Sequence, residues 1–179
     1  MKLEDIRRVR AQKFKNEIDD KIIDMIDKEN MGISLEELGI TLEDLNNSEY
    51  IYDITDDDKK SDKKSNNFSV MEEFKILSLY KYVSDAYGSS NIGNNTRDFC
   101  RMLVSRTNLS LMTKANIQSL NSANPGLGKG GSDTYSIFNW RGGSHCKHYW
   151  VKYFYDTKSK NIVKSPTNQQ PIQRNKGNV

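Results

Sequence analysis

No stretch of this sequence approaches the ~20 consecutive apolar residues of a membrane-crossing helix, so no membrane is expected among its partners. The opening MKLEDIRRVRAQ carries early charges and lacks the apolar segment of a secretory signal, which points to synthesis in a cytoplasm. Cysteine and histidine are scarce, at two each, and three of those four residues fall in the single string SHCKH at 144–148. Acidic residues are missing from 135–154 and again from 157–179. Neither segment therefore offers a carboxylate to serve as general base in a hydrolytic reaction.

What is present suits one domain with extensions, given 179 residues, 35% hydrophobic and 28% charged. The net charge of +3 hides a division. Residues 1–64 hold 12 Lys and Arg against 18 Asp and Glu, whereas residues 65–179 hold 15 against 6. A basic half suits nucleic-acid phosphates or an acidic protein surface, and an acidic half repels DNA. Ordinary solvated charge accounts for the same numbers equally well.

Leu3, Ile6, Phe14, Ile18, Ile22, Met25 and Ile26 fall mostly at three- or four-residue spacing, predicting an amphipathic helix. Ser34 with Glu37 reads as a capping box opening a short helix that Gly39 closes, and Thr41 starts another turn through Leu45. This acidic helical arm, 1–54, either lies on a neighbour or folds back on its own module. The stretch TDDDKKSDKKSNN, within 55–67, contains no apolar residue and reads as a disordered or extended linker. Residues 68–87 are read as a strand on their aromatic and β-branched content, and 88–95 as a Gly/Asn loop. Helices follow from Thr96 to about Arg106 and from Thr113 to Leu120, with a loop over ANPGLGKGG. The runs YSIFNW and HYWVKYFY, joined by RGGSHCK, read as a β-hairpin. Residues 157–179 read as a basic extended tail. The expected class is α+β: an N-terminal helical arm, a linker, and a module at 68–156 of helices packed on an antiparallel hairpin or sheet.

On a strand Cys146 and His148 share one face with Trp150, and His145 points to the other. A thiolate and an imidazole on one face are two zinc ligands, and Cys100 on a helix over the sheet supplies a third. His145 joins only if the turn bends. Cysteines that fill a core, or a Cys100–Cys146 disulfide, are the competing readings. The glycines around Lys129 fail as a phosphate loop, because that lysine is followed by Gly-Gly-Ser-Asp where Ser or Thr at a helix start is needed. Aromatic residues of the hairpin beside Arg141 and Lys152 suit base stacking, although alternating aromatics more often build a sheet core. Arg141, Lys147, Lys152, Lys158, Lys160 and Lys164 are the candidate phosphate contacts.

The strings TRDFC at 96–100, NPGLGKGGSDTYSIF at 124–138 and WRGGSHCKHYW at 140–150 together carry a resemblance. They resemble the C-terminal part of phage minor-head and head-morphogenesis proteins of the Mu F-like class, and more closely virion proteins of Bacteroidetes phages, including crAss-like ones. The shared motif is an Arg-x-Phe-Cys helix start followed by a Gly-Gly-x-x-Cys-x-His-x-Trp hairpin. Here those positions are Arg97, Phe99 and Cys100, then Gly142, Gly143, Cys146, His148 and Trp150, within a match over about 78–175. The resemblance implies a virion location after synthesis in the host cytoplasm. It also implies portal, head or tail proteins as partners and a structural Cys/His cluster. The long portal-associated N-terminal region of the larger relatives has no counterpart here, which favours an accessory, packaged or tail-associated component over portal docking. The alternative is a DNA-binding or metal-dependent nuclease-like module acting on phage DNA during packaging or ejection. A toxin-like effector is the weakest reading, since no nucleophile and base pair is recognisable.

Overall fold

A computed structural model of the chain describes residues 32–60, 76–84, 96, 98–120, 136–140 and 146–173. In chain order the elements are β1 (Ile33–Ser34), α1 (Leu35–Leu38), α2 (Leu42–Asn47), β2 (Tyr52–Asp53), α3 (Asp56–Lys60) and β3 (Ile76–Val83). Next come α4 (Asp98–Thr107), β4 (Ser110–Leu111), α5 (Lys114–Ser119), α6 (Ile137–Trp140), β5 (Tyr149–Asp156) and β6 (Asn161–Val163). The α+β class is as expected. No helix among the described residues is long and apolar enough to cross a membrane.

Strand β5 is the centre of a four-stranded antiparallel sheet. It pairs with β3 along its whole length, from Val83 opposite Tyr149 to Ile76 opposite Asp156. Its other edge takes β2 at Val151 and Lys152 and β6 at Phe154 to Asp156. A separate ladder joins β1 to β4. Met112 then exchanges two backbone hydrogen bonds with Tyr80, at 2.8 and 3.0 Å, which ties the end of that ladder to β3.

The sheet is covered on both faces, which is why ILSLYKYV and YWVKYFY are nearly continuous in apolar and aromatic residues. Alternation assigns the faces. Tyr80, Tyr82 and Trp150 pack with Phe99, Cys100, Leu103 and Val104 of α4, Ile117 of α5, and Ile137 and Phe138 of α6. Leu79, Val83, Val151, Tyr153 and Tyr155 pack with Leu35, Leu38, Ile40, Leu45 and Ile51. Of the acidic arm read over 1–54, the part from Leu35 onward therefore folds back on the chain's own sheet. The amphipathic helix read over Leu3 to Ile26, and the loops at 88–95 and 123–131, lie outside the described residues.

Local capping signals are realised. Ser34 with Glu37, Thr41 with Asp44, and Thr113 with Asn116 each form reciprocal capping boxes, and Gly39 ends α1 at φ 69°. Three other expectations are corrected. Residues 56–60, read as linker, form α3, because Thr55 and Asp58 make a further reciprocal box: the Asp58 N–H donates to Thr55 Oγ1 at 3.2 Å and the Thr55 N–H to Asp58 Oδ2 at 2.7 Å. Residues 61–67 lie outside the described set.

YSIFNW is not the hairpin partner of β5. Its described part is α6, where Ser136 Oγ accepts the Asn139 N–H at 3.2 Å and adjacent Ile137 and Phe138 are both buried. A short apolar run carries no decisive period, and both edges of β5 are already taken by β3, β2 and β6. The tail, read as extended from 157, is largely part of the fold. It contributes β6, the Ser165 N–H donates to the buried Tyr52 hydroxyl at 2.8 Å, and the Ile172 N–H donates to the Ile51 carbonyl at 2.7 Å.

Thr107 couples α4 to β3. Its hydroxyl oxygen accepts the Tyr82 N–H at 3.1 Å and lies 2.8 Å from the Leu103 carbonyl, all buried. Replacing it by Val keeps the shape but orphans that N–H. Thr107→Val is expected to cost about 1–3 kcal/mol in urea unfolding. An unchanged midpoint would show that α4 is held by apolar packing alone.

Candidate metal centre

Three elements deliver the side chains. Cys100 sits in the first turn of α4 and is buried in the core. Cys146 and His148 stand in the extended segment just before β5, Cys146 half-buried and His148 buried. The Cys100, Cys146 and His148 donor atoms all lie within 4.8 Å of one another. Cys100 Sγ is 3.8 Å from Cys146 Sγ, and Cys146 Sγ is 3.6 Å from His148 Nδ1. Strand β3 places Tyr82 beneath them, with its ring stacked on His148 at 5.6 Å between centroids and tilted on Trp150 at 4.8 Å. Trp150 lies against the Tyr82 ring, and its indole N–H donates to the Ile137 carbonyl at 3.2 Å.

The fit to a metal ion is testable on these distances. With Zn–S of about 2.3 Å and Zn–N of about 2.0–2.1 Å, tetrahedral zinc separates two sulfurs by about 3.8 Å and a sulfur from a nitrogen by about 3.6 Å. The Cys100–Cys146 and Cys146–His148 separations match, and the third, Cys100 to His148, falls within 4.8 Å, so the imidazole would close on the Cys100 sulfur by up to about 1 Å as an ion binds. A disulfide requires about 2.0 Å between sulfurs, and both thiols are free in the structure. The second ring nitrogen of His148, Nε2, is buried without a hydrogen-bond partner among the described residues. Nδ1, 3.6 Å from Cys146 Sγ, is the nitrogen turned toward the sulfur.

The electrostatics favour a thiolate at Cys146. The neighbouring Cys100 thiol, opposed by burial and helped by the Tyr82 hydroxyl and by His148, holds the Cys146 thiol well below its ordinary value. Burial, and then the charges of Cys100 and Cys146, push the Tyr82 hydroxyl up. No described carboxylate joins the group.

The other candidate residues separate. Phe99 is buried beside Cys100 in the same core. Arg97, Arg141, Gly142, Gly143 and His145 lie outside the described residues. Lys147, Lys158, Lys160 and Lys164 are exposed but scattered: Lys147 precedes β5, Lys158 and Lys160 lie in the turn after it, and Lys164 follows β6, level with the middle of β5. Lys152 is corrected as a phosphate contact: it is 5% exposed and its ammonium lies 2.7 Å from Asp58 Oδ2. Trp150, Tyr153 and Phe154 are buried, so these aromatics build the core and present no stacking platform. Tyr82 and Asp58 carried no functional signal in the sequence, since one is a tyrosine in an aromatic strand and the other an acid in a charged run. No protein-family model matches the chain, and no curated protein or solved structure matches it either.

Proposed function

We propose that this chain is a non-enzymatic structural component of a phage particle, an accessory head-, portal- or tail-associated protein whose compact module is pinned by one zinc ion on Cys100, Cys146 and His148. The observation that supports the pinned module is the meeting of a helix and a strand-entry segment, 46 residues apart in sequence, at zinc-ligand separations. Bound there, zinc would link α4 to the start of β5 and so fix the helix over the sheet. The particle location is supported by the Arg-x-Phe-Cys and Gly-Gly-x-x-Cys-x-His-x-Trp strings. Leu35 to Ile51 cover the chain's own sheet, so partner contact falls to the remaining surface and to residues 1–31.

A nuclease-like reading has less support, because no described carboxylate stands at the cluster and Lys152 is held by Asp58. Mass spectrometry of purified particles is expected to find the chain at a fixed copy number. Its absence from particles, with expression confirmed in infected cells, would remove the virion assignment and leave the metal centre to be judged separately.

A further inference from the structure

We propose that the Tyr82 hydroxyl oxygen is the fourth donor of the Cys100, Cys146 and His148 centre, so that the site is closed and has no corner left for water. This rests on the metal reading above and extends it to a residue outside the Cys/His set.

The geometry supplies the argument. A tetrahedral zinc with an oxygen donor at about 2.0 Å separates that oxygen from each sulfur by about 3.5 Å. The Tyr82 oxygen lies 3.4 Å from Cys146 Sγ and 3.8 Å from Cys100 Sγ, bracketing that value. With the two separations already described, four of the six edges of one tetrahedron are accounted for by side chains in place.

The hydroxyl is also held where it is. The Tyr82 backbone is fixed opposite Trp150 by strand register, and its N–H is bound by Thr107. Its ring is flanked by His148 and Trp150. The residue is fully buried, so water does not compete for the same position. Among the described residues the hydroxyl meets two sulfurs, which are weak hydrogen-bond partners for a buried phenol. A cation between the sulfurs and the oxygen would take that oxygen as phenolate, the hydroxyl proton being released as the ion binds. Closure distinguishes a structural zinc site from a catalytic one, which keeps a position for water or substrate.

The test uses full-length chain loaded with cobalt(II), wild type beside Tyr82→Phe, with azide added as a probe for an open corner. The wild type is expected to give intense tetrahedral visible bands that azide leaves unchanged. Tyr82→Phe should bind cobalt roughly 10- to 100-fold more weakly, at least the loss seen on removing an outer-shell partner, and its bands should shift with azide. Equal affinity and identical bands in the two proteins would overturn the role of Tyr82 while leaving the three-residue centre standing. No cobalt bands in the wild type would overturn both. Should Tyr82→Phe fail to fold, wild type carrying carbon-13 at tyrosine Cζ replaces it. Zinc should then move one of the nine tyrosine resonances by several parts per million, and nine unmoved resonances would contradict the proposal.

Discussion

Stripping zinc from the Cys100, Cys146 and His148 centre is expected to lower the melting temperature by about 5–16 °C. A ligand that binds only the folded state stabilises it by about 2.7 kcal/mol at one hundred times its dissociation constant and about 4.1 kcal/mol at one thousand times. For a chain of this size each kcal/mol moves the midpoint by about 2–4 °C. The effect is large because the donors join two distant parts of the chain: α4 carries one sulfur and the approach to β5, 46 residues on, carries the other sulfur and the imidazole. Calorimetry of zinc-loaded protein against protein treated with a chelator under reducing conditions checks this. Cys146→Ser should melt at the chelated temperature whether or not zinc is added. Coincident transitions for loaded and chelated wild type would mean that apolar packing around Cys100 holds α4 unaided.

Breaking the Asp58–Lys152 pair is expected to cost about 3 kcal/mol, toward the lower end for a buried pair because Asp58 keeps some solvent contact. The pair is 2.7 Å long, with side chains 17% and 6% exposed. The Tyr80 hydroxyl reaches the same carboxylate at 3.4 Å, and the Lys114 ammonium reaches the Asp58 carbonyl. Asp58→Ala leaves the Lys152 ammonium enclosed against Phe154 with no counter-charge, and Lys152→Met leaves the carboxylate in the same position. The double variant Asp58→Ala with Lys152→Met should recover much of the loss, because no charge is then left buried.

The acid dependence follows from the same pair. Burial pushes the Asp58 carboxyl up, but the Lys152 hydrogen bond and charge, with the Thr55 N–H and hydroxyl, outweigh it and hold the group below its ordinary value. A folded-state value below the unfolded one, about 3.9 for aspartate, stabilises the fold above that pH. The contribution is lost as pH falls through the lower, folded value. Wild type should therefore lose stability below about pH 4, and Asp58→Asn should be less stable at neutrality and flatter across the same acid range. Parallel pH profiles for the two proteins would contradict this.

How far the sequence discloses the fold depends on the range of each interaction. Ser34, Thr41 and Thr113 are legible because a capping box closes within three residues, so the whole device lies in one short string. The faces of β3 and β5 are legible for the same reason, since alternation puts Tyr80, Tyr82 and Trp150 on one side and Leu79, Val83 and Val151 on the other. Asp58 is not legible, because the lysine that orders it lies 94 residues away and a run of like acids otherwise reads as solvated. YSIFNW misleads because four or five apolar residues fit either period, and the decision rests on which edges of β5 are free. β6 and the segment to Ile172 are hidden by polar composition, since their order comes from pairing of β6 with Phe154 to Asp156, from the Ile172 N–H on the Ile51 carbonyl, and from only two isoleucines, Ile162 and Ile172, packed on the core.

Of the candidate site, the Cys146 and His148 spacing is readable and Cys100 follows as a helical residue over the sheet. Tyr82 is not readable. It becomes part of the centre only through the register that sets it opposite Trp150.

In the proposed centre Cys100, Cys146 and His148 hold a single metal ion. Elemental analysis of full-length protein, purified without chelator and under reducing conditions, tests it most directly beside Cys146→Ser prepared in parallel. The expected result is about one zinc per chain in the wild type and none in the variant. A wild type free of zinc that takes none up on titration, or equal zinc in both proteins, would contradict it.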